Sequence, residues 1–198
     1  MRGVEQIPWL YDAMCFVLER TGLERWRNWL VGGVKGRTLE VGCGTGRNLP
    51  LYAGFAVGID PCAESLAKAK RRAPAVPLVR ASAHALPFRD GAFETVVSGL
   101  VFCSVPDARR GLAEVKRVLK PEGRLRMLEH VRSTGKLQGR WQDFIQPAWT
   151  WVAGGCHPNR DTEATVAEAG FEIEAETRRA EGTMRRFSAR QRQPASTP

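Results

Sequence analysis

The stretch Leu39-Glu40-Val41-Gly42-Cys43-Gly44-Thr45-Gly46 constrains the fold more than any other part of this chain. An apolar, β-rich run gives way there to glycines at alternate positions, and then to a helical pattern. Glycine lets a backbone turn sharply and lets a ligand approach with no Cβ in the way. A strand, a glycine loop and a helix in that order belong to an open α/β sheet, where ligands sit beyond the carboxyl ends of the strands.

The flanking residues continue the alternation. β-rich runs at Thr38–Val41, Phe55–Ile59, Pro77–Ala81, Thr95–Val101 and Arg124–His130 are separated by helical patterns. Helices are read over Arg47–Tyr52, Ala63–Ala73 and Asp107–Leu119, the last stopped by Lys120-Pro121-Glu122-Gly123. This order predicts βαβ units and a parallel sheet. Further on, a helix is read over Arg160–Ala169, and Phe171–Thr177 with Thr183–Ala189 predict an antiparallel pair at the sheet edge. Lys136–Ala153 is rich in aromatics, and Pro147 is expected to kink or break it. Pro8–Leu30 reads as an amphipathic helix, with Leu10, Met14 and Val17 on one face. The 198 residues suit one domain. Its parts are N-terminal lid helices over 1–34, an α/β domain over 35–190 with an aromatic insertion at 133–160, and a disordered tail over 191–198.

Composition removes several classes. With 43% apolar and 26% charged residues the chain is neither disordered nor membrane-spanning. No run approaches the roughly 18 apolar residues that a spanning helix needs. Glu5, Asp12 and Glu19 interrupt the start, which therefore lacks a secretion pattern, and a cytoplasmic protein is expected. Cys15, Cys43, Cys62, Cys103 and Cys156 include no CxxC pair, so free thiols are expected. Cys103, Cys156, His130 and His157 match no ligand spacing, and no metal is expected. The net charge of +9 suits a solubilising surface, peripheral contact with an anionic membrane, or nucleic acid.

Two acids narrow the ligand. Asp60 ends the second strand, eighteen residues after Gly42, where a carboxylate can accept both hydroxyls of a ribose. That contact suits NAD and S-adenosylmethionine alike. Glu40 separates them: it would repel a pyrophosphate laid over the loop, whereas the ammonium and sulfonium of adenosylmethionine favour a nearby carboxylate. Arg47 also breaks the GxGxxG dinucleotide spacing.

The segments LEVGCGTGRNLPLY (39–52), GIDP (58–61), ALPF (85–88) and EVKRVLKPEGRL (114–125) resemble class I methyltransferases of the ubiquinone/menaquinone-biosynthesis type. The resemblance covers roughly residues 35–130. It implies a Rossmann-like, seven-stranded, mostly parallel sheet in the order 3-2-1-4-5-7-6, helices on both faces, and S-adenosylmethionine as cofactor with S-adenosylhomocysteine as product. By position, it places Glu40, Gly42, Cys43, Gly44, Thr45 and Gly46 at the methionine end, and Asp60 with Pro61 at the ribose. Ser82, Ala83 and His84 would meet the adenine, and Ser98, Gly99 and Leu100 would line the sulfonium. Such enzymes usually carry Asp-Ala-Glu where this chain has Ser82-Ala83-His84, and a serine holds the adenine amine less strongly than a carboxylate.

The acceptor side is read from fewer signals. His130 at the end of the fifth strand and His157 in the following glycine loop are the candidate catalytic bases, or groups that only position substrate. Glu129-His130-Val131, Trp141-Gln142, Pro147-Ala148-Trp149, Gly154-Gly155-Cys156 and Arg160 are similar to thiol methyltransferases of the mammalian endoplasmic reticulum. That second resemblance implies a small apolar thiol as acceptor. Those enzymes carry an N-terminal membrane anchor, and none is read in this sequence. Cys103, Trp141, Phe144 and Trp149 are expected to wall the acceptor pocket, with Tyr11 closing it from the lid; packing of the aromatics into the core is the competing reading. The N-terminal helix could instead lie on a membrane through Trp26, Trp29 and Leu30, with Arg20, Arg25 and Arg27 at the headgroups. Methylation of a phospholipid amine or a quinone carbon, or a non-catalytic basic binding module, are the alternatives. Nucleic acid is not expected as substrate, because Ser98-Gly99-Leu100-Val101 lacks the Asp/Asn-Pro-Pro-aromatic signature of base methylation.

Overall fold

The computed structural model describes residues 23–133, 135–152, 157 and 159–192. The expected lid up to residue 22, with Tyr11, lies outside these residues, as do Cys156 and the end of the tail.

Strands β1 (Thr38–Val41), β2 (Ala56–Asp60), β3 (Leu78–Arg80), β4 (Phe93–Gly99) and β5 (Leu119–His130) pair in parallel. β8 (Met184–Gln191) runs antiparallel to β5, and its other side carries β6 (Phe171–Ile173) and β7 (Arg179–Glu181). The order is β3-β2-β1-β4-β5-β8-β6, with β7 also on β8. This is the expected topology with the outer strand in two pieces. The run read as Phe171–Thr177 stops at Ile173, where a 3-10 turn over Ala175–Thr177 intervenes. There the Thr177 hydroxyl accepts the Ser188 N–H (2.8 Å) that a straight edge strand would have paired. β8 runs on to Gln191, whose amide donates to the carbonyls of Lys116 and Leu119, so the expected disordered tail loses its first residue to the sheet.

All four residues of β1 are buried, as befits a central parallel strand covered on both faces. Side chains alternate along the neighbouring strands. Val96, Leu125, Met127 and Phe187 join the core beneath α3 (Ala108–Val118) and α5 (Thr162–Glu168), while Val97 and Leu128 face Trp26 and Leu30 of α1 (Glu24–Gly32). Helix α3 buries Leu112, Val115 and Val118 on one stripe and starts at Asp107, whose side chain caps Arg110 N–H at 2.9 Å. Helix α2 (Ala63–Arg72) lays Ala69 against Cys43 and Leu49 below the glycine loop. Helix α4 (Lys136–Val152) runs through Pro147, so of the kink or break expected there the break does not occur.

The membrane-facing reading of α1 is corrected. Trp26 is buried, and Arg186 stacks over both Trp26 (5.4 Å) and Trp29 (4.6 Å) while Arg126 lies over Trp29 (4.2 Å). Arg126 also donates to the carbonyls of Leu30 and Trp29. Trp26 and Leu30 are thus buried and Trp29, half-buried, is held by two guanidiniums, so the three do not form an exposed apolar face.

Candidate functional site

A cavity of about 710 Å³ opens beyond the carboxyl ends of β1, β2 and β4. Its floor is the glycine loop, where Gly42, Gly44 and Gly46 have φ of +66°, +53° and +78°. Only glycine takes these values without strain, and a Cβ on Gly42 would also strike Val101 at 2.5 Å. Arg72 of α2 fixes the far side of the loop through the Thr45 carbonyl (2.6 Å) and hydroxyl (3.0 Å).

The two acids face this cavity. Glu40, 2% exposed, accepts from Asn48 Nδ2 at 2.8 Å through Oε1, and Arg27 of α1 holds Asn48 Oδ1 at 2.9 Å. Its second oxygen, Oε2, is buried with no hydrogen-bond partner among the described residues. The Tyr52 hydroxyl lies close enough to favour the carboxylate yet outside hydrogen-bond geometry. Burial pushes the Glu40 carboxyl up to about 7, against the pull of Asn48, Tyr52 and Arg27. Asp60 accepts Gly44 N–H (3.0 Å) on Oδ2 and Cys62 N–H (2.8 Å) on Oδ1. Burial raises its pKa and these two backbone bonds oppose the rise. Each Asp60 oxygen keeps a lone pair for a ligand hydroxyl.

The adenine-side segment is anchored from a distance. Glu114 accepts Leu86 N–H (2.7 Å), and Arg117 donates to the carbonyls of Phe88 (2.8 Å) and Leu86 (2.9 Å). The Arg117 guanidinium beside Glu114 holds that carboxyl down at about 2. Two of the recognisable segments, ALPF and EVKRVLKPEGRL, thus form one structural tie. It presents Ser82, Ala83 and His84 to the cavity, with Ser82 Oγ accepting His84 N–H (3.2 Å) and His84 Nε2 bonded to Asp107 O (3.0 Å).

The opposite wall is the turn after β4. Leu100 has φ +61°, the one non-glycine residue in the left-handed region among the described residues, and its N–H bonds Leu128 O at 2.6 Å. Backbone strain of this kind persists where surroundings over-determine it. Here Glu129, fully buried, accepts Ser98 Oγ (3.1 Å) and the N–H groups of Val101 (3.2 Å), Phe102 (3.1 Å) and Cys103 (3.3 Å). Arg160 donates to the carbonyls of Phe102 and Val105, and His157 N–H to that of Cys103. His157 lines the cavity, and its Nδ1 meets Gln146 Nε2 at 2.8 Å.

Most of the expected cofactor residues therefore line one cavity: Glu40, Gly42, Cys43, Gly44, Thr45, Asp60, Pro61, Ser82, Ala83, His84, Gly99 and Leu100. Two stand apart. Gly46 lies under α2, where a Cβ would meet Ala69 at 2.8 Å, and Ser98 turns into the core to reach Glu129. On the acceptor side, His130 ends β5 on the face of α1 and is absent from the lining, and Cys103 is buried with its Sγ beside Ser104. Trp141 and Phe144 neither wall the pocket nor pack in the core: they are exposed, because α4 docks through its glutamines. The side chain of Trp149 lies outside the description. Asn48, Arg27, Glu129 as a backbone clamp, and Arg160 as a carbonyl clamp are found by the structure alone. Among the described residues no group of three His, Cys, Asp or Glu could hold a metal, and no helix is long and apolar enough to cross a membrane.

A glycine loop beside a buried, half-satisfied carboxylate, with a second carboxylate at the end of the next strand, defines a pocket for a nucleoside that carries a cation. Residues 39–127 match the methyltransferase domain family. The chain is 35% identical over 143 residues to the thiol S-methyltransferase TMT1B of Rattus norvegicus, covering 67% of this chain and 59% of that protein. It is 31% identical over 167 residues to the demethylmenaquinone methyltransferase of Renibacterium salmoninarum, covering 80% and 70%. The fold matches a Thermotoga maritima structure described as a SAM-dependent methyltransferase, possible histamine N-methyltransferase, with a TM-score of 0.74, 19% identity and coverage of 96% and 99%. The chain belongs to the S-adenosylmethionine-dependent methyltransferases of this domain family. It spans about three-fifths of the length of the thiol methyltransferases it matches.

Proposed function

We propose that this chain transfers the methyl group of S-adenosylmethionine to the sulfur of a small, largely apolar thiol by in-line displacement. The observation that carries methyl transfer is the buried Glu40 carboxylate, held by one hydrogen bond from Asn48, in the same cavity as the glycine loop and Asp60. A buried carboxylate is costly unless a ligand completes its partners, and the methionine ammonium does so. The glycine loop lets that end of the cofactor approach, Asp60 accepts the ribose hydroxyls, and Ser82 to His84 border the adenine. When bound, the cofactor supplies an electrophilic methyl on a sulfonium.

The choice of sulfur rests on what faces the acceptor. Leu100, Val101, Val105 and Pro106 give an apolar wall that excludes water, and Ser104 and His157 are the polar groups beside it. His157, whose ring Gln146 holds through Nδ1, stands beside the acceptor as a hydrogen-bonding group. A thiol ionises near pKa ~8.5 and needs little help, whereas a phenol or carbon acid needs a stronger base. The likeness to TMT1B supports the same reading. A quinone carbon is the second reading, favoured by the demethylmenaquinone methyltransferase likeness.

Release of adenosylhomocysteine in the presence of a short alkyl thiol or a demethylated quinol separates the two. Turnover of the thiol, rising with pH through its own pKa, is expected. Turnover of the quinol alone would replace sulfur by carbon, and turnover with neither would remove methyl transfer to this class of acceptor.

A further inference from the structure

A surface helix of a globular protein normally buries an apolar stripe and turns its polar side to water. Helix α4 does the reverse. Among its described side chains, those that meet the rest of the chain by hydrogen bonds are polar: Gln142 is buried, donating to Val131 O (3.3 Å) and accepting from Ser133 N (2.7 Å), and Gln146 reaches His157. On the outer side stand Leu137, Trp141 and Phe144, at i, i+4 and i+7, which are 85%, 60% and 77% exposed. The rings of Trp141 and Phe144 lie 5.8 Å apart, so the row is one continuous apolar patch rather than scattered side chains.

The surrounding charge is mostly basic: residues 131–144 carry Arg132, Lys136 and Arg140 against one acid, Asp143, which Arg132 pairs at 2.8 Å, in a chain with net charge +9. Arg140 is exposed next to the row. Three side chains of this size offer on the order of 500 Å², short of the roughly 800 Å² per partner of a stable protein interface. An aliphatic side chain and two aromatic rings edged by basic residues instead match a helix that lies in the boundary of an anionic bilayer.

We propose that this face of α4 docks on an anionic lipid surface. Leu137, Trp141 and Phe144 enter the boundary between headgroups and acyl chains, and Arg140 meets lipid phosphates. The same helix holds His157 on the rim of the cavity through Gln146, so docking brings the acceptor side of the site to the bilayer, where apolar acceptors concentrate.

Co-sedimentation with vesicles of equal parts phosphatidylcholine and phosphatidylglycerol, at low salt, tests this without any activity readout. The wild-type chain is expected to sediment, and the Leu137→Gln/Trp141→Gln/Phe144→Gln variant to lose at least about tenfold in partition. The exposed positions should leave its thermal unfolding unchanged; if the triple variant unfolds early, Phe144→Gln alone still gives a loss of several-fold. Arg140→Gln, or vesicles of phosphatidylcholine only, should weaken binding about fivefold. A wild type that stays in solution, a triple variant that sediments like the wild type, or equal binding to neutral vesicles overturns the proposal. So does a wild-type dimer that the triple variant converts to monomer, because a second copy then covers the face.

Discussion

The two sides of the cavity are built by different means. On the cofactor side, the two acids make their contacts within short spans of chain: Asp60 to Cys62, Glu40 to Asn48, Gly44 to Asp60. The longer ties from Arg72, Glu114 and Arg117 brace the segments around them. On the acceptor side the contacts themselves reach far. Glu129 takes backbone groups 26 to 28 residues away, and Arg160 grips carbonyls 55 and 58 residues back. A local loop can be written as a motif and presents its carboxylates wherever a strand and a helix flank it. A wall assembled from distant segments depends on the whole domain being folded, so one changed residue in it alters shape as well as chemistry.

That contrast is broken most forcefully at Glu129. Glu129→Ala leaves the N–H groups of Val101, Phe102 and Cys103 and the Ser98 hydroxyl without their acceptor, and should cost about 3–5 kcal/mol in urea unfolding. Glu129→Gln keeps one acceptor oxygen and should cost less. A loss below about 1 kcal/mol in the alanine variant would show that the wall stands without its clamp.

The next effect concerns charge on the cofactor side. Glu40 titrates near 7 in the free chain, and capture of an ammonium favours its ionised form. Affinity for adenosylhomocysteine should therefore fall as pH drops below about 7, by up to tenfold per pH unit. The stability of the free chain follows the opposite course. With an ordinary value of 4.5 unfolded and about 7 folded, the carboxyl contributes stability below 4.5 that is lost as pH rises through 7. Glu40→Gln should flatten both dependences, read by calorimetry and by urea unfolding across that range.

The smallest effect belongs to His157. Its ring, tied to Gln146, helps orient the wall, so His157→Ala should lower thiol turnover by less than about tenfold and leave cofactor affinity unchanged. A fall of a hundredfold or more would make it a general base.

How much the sequence revealed follows the same division. The glycine loop, Asp60 and the parallel strands were legible because each rests on neighbours in sequence, whereas the order of the strands was implied only by the family resemblance. Thr38–Val41 is the strand as read. The break in the outer strand was not legible, since it depends on Thr177 standing in for a backbone acceptor to Ser188. Trp141 and Phe144 were read as pocket or core because aromatics usually bury. Only the contacts of Gln142 and Gln146 reveal which face of α4 points inward. Asn48 lies inside the quoted motif, yet its bond to Glu40 needs the 3-10 turn over Leu49–Leu51 to bring it back over the strand.

The central claim is that Glu40, the glycine loop and Asp60 form a cofactor site. Calorimetric titration of S-adenosylmethionine into the wild type and into Asp60→Ala tests it most directly. Saturable binding to the wild type, weakened ten- to a hundredfold in the variant, about 1.4–2.7 kcal/mol, is the predicted result. Absence of binding to the wild type, or equal affinity in both, would contradict it.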